Sequence, residues 1–130
     1  MQSDSNILQV DKLSKYFGGL GAVSNCSLKI KKGSITGIIG PNGSGKTTLF
    51  NILLGITKMD SGKLFINNDG KKNLNIGSLP IHQRCSENKI KFIPQYDSLF
   101  RNLNVEDNLR AVAEIFLKDR REIEEKIENL

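Results

Sequence analysis

Gly40-Pro41-Asn42-Gly43-Ser44-Gly45-Lys46-Thr47 is the stretch on which the reading of this chain turns. It fits the pattern glycine, four free positions, Gly-Lys-Thr in full, and its surroundings suit the pattern. Upstream, Ser34-Ile35-Thr36-Gly37-Ile38-Ile39 is short and β-branched, as a buried strand would be. Downstream, Lys46 to Leu54 reads as a helix with Leu49, Phe50 and Leu53 facing inward and Gly55 as its stop. Strand, glycine loop and helix in that order form a phosphate cradle. Glycines let backbone N–H groups turn toward an anion, and the helix start adds unsatisfied donors and the positive end of its dipole. Lys46 is then expected to reach the β- and γ-phosphates of a nucleotide, the Thr47 hydroxyl to complete a Mg²⁺ shell, and Thr48 to bond an α-phosphate.

Working outward, residues 7–17 and 20–30 alternate loosely between apolar and polar positions, with Gly18-Gly19 as a turn between them. Two strands of a partly exposed antiparallel sheet are expected there. Beyond the loop, Met59-Asp60-Ser61-Gly62 marks a turn and Lys63-Leu64-Phe65-Ile66-Asn67 a strand. Residues 70–89 are polar and rich in Asn, Lys and Ser, which predicts a mostly exposed connection. Ile90-Lys91-Phe92-Ile93-Pro94 suggests a short strand running into a loop at Gln95. Asn104 is placed to cap a helix, with Asp107 in its favourable first turn. Val105, Leu109, Val112, Ala113 and Phe116 keep helical spacing and predict one buried face. A second amphipathic helix is expected from near Asp119, on Ile123, Ile127 and Leu130.

The bulk numbers leave room for this and little else. The 130 residues suit one domain, and 38% hydrophobic with 25% charged residues predicts a soluble globular chain. No apolar run is long enough to span a bilayer, and the start Met1-Gln2-Ser3-Asp4-Ser5-Asn6 lacks the pattern of a secretion signal. Cys26 and Cys85 have neither metal-site nor redox spacing, and are expected to be buried or incidental thiols of a cytosolic protein. The net charge of +5 is scattered in pairs such as Lys31-Lys32 and Arg120-Arg121, with no stripe of interleaved aromatics. A nucleic-acid partner is therefore not expected. His82 stands alone and is expected to be neither metal ligand nor base.

The wording around the loop narrows the reading. Lys12-Leu13-Ser14-Lys15-Tyr16-Phe17-Gly18-Gly19-Leu20, then Ser27-Leu28-Lys29-Ile30-Lys31-Lys32-Gly33, then the loop itself with Thr48-Leu49-Phe50-Asn51, Gly55 and Ser61-Gly62, resembles the opening of ABC transporter ATPases. That resemblance implies an α/β fold of the P-loop NTPase type, a RecA-like core with an added antiparallel β subdomain. Residues 1–104 would form the β subdomain and phosphate-loop core, and 105–130 the start of a helical subdomain. It also implies that Phe17 stacks on adenine, with Tyr16 as the competing ring, and that Gln95 is the glutamine that touches Mg²⁺ and the attacking water. The implied cofactors are ATP and Mg²⁺. The implied partners are transmembrane transporter subunits and a second ATPase subunit, at the cytoplasmic face of the inner membrane.

Leu79-Pro80-Ile81-His82-Gln83-Arg84 and Ser98-Leu99-Phe100-Arg101-Asn102-Leu103-Asn104-Val105-Glu106-Asp107-Asn108-Leu109 are similar to lipopolysaccharide-export ATPases, with branched-chain amino-acid importers as the nearest rivals. The sequence holds neither an apolar run ending in Asp-Glu nor a Leu-Ser-Gly-Gly-Gln stretch. The expectation is accordingly the N-terminal part of an ABC ATPase domain, one that grips ATP without turning it over. A small P-loop kinase and a non-catalytic nucleotide-binding remnant are the alternatives from other classes.

Overall fold

The alternation of residues 7–30 does produce a hairpin. In a computed structural model that describes residues 6–68, 71–94 and 99–130, β1 (Asn6–Phe17) and β2 (Leu20–Lys31) pair antiparallel around the Gly18-Gly19 turn. β3 (Ser61–Asn68) pairs antiparallel with the other edge of β1, and β4 (Lys71–Asn75) with β3, giving the order β2-β1-β3-β4. The register of β1 against β2 shifts on either side of Leu13. At those shifts two serine hydroxyls substitute for ladder acceptors: Lys12 N–H donates to Ser27 Oγ and Asn25 N–H to Ser14 Oγ, both at 2.9 Å.

Helix α1 (Lys46–Leu54) covers this sheet. Leu49, Ile52 and Leu53 join Val10, Leu13, Val23, Leu64, Ile66 and Ile76 in one core, each large side chain contributing about 1.5–3 kcal/mol of transfer free energy. Phe50, expected inward, is half exposed; Ile52 takes the buried position. The helix ends at Gly55, whose left-handed φ of 84° lets its N–H return to the last-turn carbonyls.

Residues 71–89, expected as a mostly exposed connection, are largely exposed where described, but they hold more structure than the composition suggests. Besides β4 they contain α2 (Ile81–Ser86), and Ile76, Arg84 and Asn88 are buried. Arg84 is the reason. Its Nε donates to Leu79 O at 2.8 Å, Nη2 to Gly77 O at 2.9 Å, and Nη1 to Ile52 O and Leu53 O at 2.5 and 2.9 Å. One buried cation therefore satisfies carbonyls at the C-terminal end of α1, where the helix dipole favours positive charge, and folds the polar segment around itself. Burial pulls the guanidinium pKa down from its ordinary value, with no carboxylate among these partners to oppose it.

Two expected strands do not form. Ser34–Ile39 has no strand neighbour among the described residues; Ile35 and Ile39 are fully exposed, and only Ile38 packs against the core. Ile90–Pro94 likewise has no strand neighbour among the described residues, with Phe92 and Ile93 exposed. Sequence supplies the strand propensity, but a strand exists only when another supplies the ladder.

The chain divides into a first compact unit ending at Phe92 and a second from Ile93 to Leu130. In the second, α3 (Val105–Phe116) starts at Asn104, whose Oδ1 accepts from Asp107 N–H at 2.8 Å. α4 (Arg120–Glu128) starts at Asp119, which accepts from Arg121 N–H at 2.9 Å. Arg110 joins the two helices by pairing with Glu106 and Glu124, and its ion pairs hold the Glu124 carboxyl below the usual range. The apolar face expected on α3 is present but not buried: Val105, Val112 and Phe116 are exposed, and only Ile123 of α4 is buried.

Replacing Arg84 by Met strips two buried and two partly buried carbonyls of their donor and is expected to cost about 2–4 kcal/mol. Arg84→Lys recovers only part of it, since an ammonium cannot fork to four carbonyls. Urea unfolding midpoints of the three proteins measure the difference.

Candidate functional site

The phosphate loop is held by two backbone devices. Ser44 N–H donates to Pro41 O at 3.2 Å, closing a turn that carries Gly43 at φ 81°. Gly45 then caps α1 at φ 84°, and a Cβ there would sit on the carbonyl oxygen of Ala22. Glycine is thus required twice over at 45, for its φ and for the approach of β2. That approach also places the loop. Ala22 lies in β2 between Gly21, opposite Tyr16, and Val23, opposite Lys15. The loop accordingly abuts the hairpin end that carries Phe17.

Chemically, the site suits an anion. The start of α1 has no side-chain cap and no acidic residue in its first turn, and helix geometry leaves the amides of Gly45 to Thr48 without intrahelical acceptors. Lys46 folds back over the loop, its Nζ donating to Gly40 O at 2.6 Å, Pro41 O at 2.7 Å and Ser44 Oγ at 3.3 Å. Gly40 to Ser44 and Thr47 are exposed, and Thr48 half-buried. A cavity of about 420 Å³ opens beside the loop between β2 and Ile38-Ile39. These donors fit a polyphosphate, and the exposed Thr47 hydroxyl fits one position of a hydrated Mg²⁺ shell. Gln95 lies outside the described residues, so Thr47 is the one described member of the expected metal pair.

Phe17 ends β1 with its ring half exposed, and Lys15 Nζ stands 5.3 Å from the ring centroid. Tyr16, the competing ring, is also half exposed, but its edge packs across the hairpin onto Gly21. The strand end is tied down from outside the hairpin. Asp60 Oδ1 accepts from Lys15 Nζ at 2.8 Å and Oδ2 from Tyr16 N–H at 2.7 Å. Those bonds, that to Lys15 foremost, hold the Asp60 carboxyl below the usual aspartate range. His82 sits exposed on α2, and no group of three metal-binding side chains occurs among the described residues. Cys26 and Cys85 are free thiols.

Sequence reading missed Asp60 and Arg84. Asp60 looked like an ordinary turn residue, and its partners lie 44 and 45 positions away. Arg84 looked like one more surface cation, and nothing local distinguishes it from Arg120 or Arg121. Asn108 was passed over as well. Its amide donates to Phe100 O, Leu103 O and Asn104 O at 2.9–3.1 Å and accepts from Phe100 N–H at 2.8 Å, fixing the loop before α3.

Together, the glycine loop, the bare helix start and Lys46 define a nucleotide-phosphate site of the P-loop type. Residues 23–130 match the ABC transporter family model, and the chain belongs to that family. It is 41% identical over 108 residues to the lipopolysaccharide export system ATP-binding protein LptB of Escherichia coli K12, covering 83% of this chain and 42% of that one. It is 37% identical over 122 residues to a probable branched-chain amino acid transport ATP-binding protein, LivF, of Archaeoglobus fulgidus, covering 94% of this chain and 48% of that one. The chain thus spans less than half the length of these relatives. Among solved structures, the ATP-binding cassette MJ1267 superposes with a TM-score of 0.76 at 29% identity, over 93% of this chain and 51% of that one. The expected fold class, α/β of the P-loop NTPase type, is the one these cassettes share.

The two left-handed glycines separate strain from crowding. Gly43→Ala meets no neighbour within 4 Å and is expected to cost about 1–2 kcal/mol for its backbone alone. Gly45→Ala adds the collision with Ala22 and costs clearly more. Paired denaturation curves read both; equal costs would remove the close β2 approach from the account.

Proposed function

We propose that this chain is the ATP-gripping part of an ABC transporter nucleotide-binding subunit. The observation that carries it is the uncapped start of α1, rimmed by Gly40 to Gly45, with Lys46 folded over the loop. Amides from Gly43 to Thr48 and the Lys46 ammonium bind the phosphates, and Phe17 stacks on the adenine ring. Pro41, Asn42 and Ser44 hold the loop's turn in shape. Thr47 and Gln95 orient the metal side of the nucleotide. Bound Mg²⁺ would neutralise charge on the phosphate oxygens.

In the whole protein, residues 1–104 serve as the β subdomain and phosphate-loop core, and 105–130 open the helical subdomain. Two such subunits pair and drive transmembrane partners from the cytoplasmic face of the inner membrane, by ATP hydrolysis. Lipopolysaccharide export is the favoured cargo reading, supported by 41% identity to the export ATPase and by the stretches at 79–84 and 98–109. Branched-chain amino-acid import is the second reading, favoured by the 37% identity to LivF. The 130 residues alone bind without turnover, because no carboxylate in their sequence matches the Asp-Glu element of the family.

Calorimetric titration of Mg-ATP into wild type and Lys46→Ala tests the grip. Loss of a charge-assisted phosphate contact is expected to weaken binding by about 10- to 100-fold, roughly 1.5–3 kcal/mol. Equal, negligible binding by both proteins would instead mark a remnant, and phosphate transfer to a small acceptor would mark a kinase.

A further inference from the structure

We propose that Asp60 is a positioning residue for base recognition: its carboxylate locks the end of β1 so that Phe17 presents one open face to the adenine. This rests on the reading of Phe17 as the stacking ring, and adds a residue that acts only through it.

The geometry is specific to the two residues before Phe17. One carboxylate oxygen takes the Lys15 ammonium at 2.8 Å, and the other takes the Tyr16 backbone N–H at 2.7 Å. Asp60 is itself fixed, its own N–H donating to Ser14 O at 3.0 Å. Three consecutive residues of β1 are therefore pinned to one point at the entry to β3. The consequence reaches the ring through Lys15. Held by Asp60, its ammonium stands over Phe17, 5.3 Å from the centroid, so that one face of the ring carries a cation. A base can then stack only on the other face, and a cation beneath the ring favours that face electrostatically. Space is open at the tip beyond, since added Cβ atoms at Gly18 and Gly19 would meet nothing within 4 Å.

A purely structural ion pair would behave differently. The Asp60 side chain is 42% exposed, and exposed pairs contribute little to stability. The positioning role predicts a loss confined to the base.

The test compares ATP with inorganic tripolyphosphate, which has phosphates and no base, in competition binding to the full chain with Mg²⁺. Asp60→Ala is expected to weaken ATP about tenfold, ~1.4 kcal/mol, and to leave tripolyphosphate within about twofold. Asp60→Asn, which keeps the shape and one acceptor oxygen, should fall between, and carries the test if Asp60→Ala does not fold. Unchanged ATP binding overturns the inference, and so does equal weakening of both ligands, which would mean a general structural role. Phe17→Ala separates this from the reading beneath it. If Phe17→Ala loses the preference for ATP and the Asp60 variants keep it, only the positioning role fails. If Phe17→Ala keeps that preference, or wild type shows none, the stacking role of Phe17 fails and the inference with it.

Discussion

The arrangement of the first unit depends on where the Arg84 guanidinium ends up. A helix of nine residues is short enough to be marginal by itself, and α1 must also begin at an uncapped glycine. Its stability has to come from elsewhere. Part comes from the apolar face on the sheet, and part from its far end, where Arg84 donates to the carbonyls of Ile52 and Leu53. The same cation gathers Gly77 and Leu79, and the chain from Leu79 to Arg84 closes over Gly55 so tightly that a Cβ would meet the guanidinium at 2.9 Å. A cation at the C-terminal end of the helix thus leaves the other end free to stay bare. That matters because a side-chain cap at Gly45 would occupy the donors a phosphate needs.

The sheet makes a matching contribution from the other side. β1 is the central ribbon, paired with β2 on one edge and β3 on the other, and each neighbour brings one contact that matters to the site. β2 brings the Ala22 carbonyl against Gly45, fixing the loop relative to the hairpin. The entry to β3 brings Asp60 against Lys15 and Tyr16, and Gly62 allows it: a side chain there would run into the Lys12 and Asp11 carbonyls at 2.7 and 2.8 Å. Phosphate loop and aromatic are thus tied to the two neighbours of a single strand, although 23 sequence positions separate Phe17 from Gly40.

Legibility in the sequence follows the range of the interactions. The glycine loop, α1, the turn of the β1–β2 hairpin, the cap at Asn104 and a helix start near Asp119 rest on neighbours within a few positions, and pattern reading finds them. What it misreads depends on distant partners. The structure within 71–89 is hidden because its organising residue is an arginine whose acceptors are backbone carbonyls up to 32 positions away. Ser34–Ile39 and Ile90–Pro94 look like strands because β-branched runs are, yet hydrophobicity cannot provide a hydrogen-bonded neighbour. The α3 stripe is read correctly as amphipathic, but periodicity gives the face and not what covers it.

Lys46 shows how the site trades one set of interactions for another. Its ammonium has three donors, and the loop provides three acceptors: two carbonyls and a hydroxyl. Those three bonds hold an exposed, glycine-rich turn in shape. Phosphate oxygens would replace neutral acceptors with charged ones, and charge-assisted bonds are roughly twice as strong. The exchange releases the Gly40 and Pro41 carbonyls, which solvent can rehydrate because both residues are exposed. Nothing buried is left unpaired by the swap, so the net gain falls to the phosphate contact. A loop built this way offers its donors to phosphate oxygens alone, and contacts to a base would have to come from elsewhere, for which the hairpin end lies nearby.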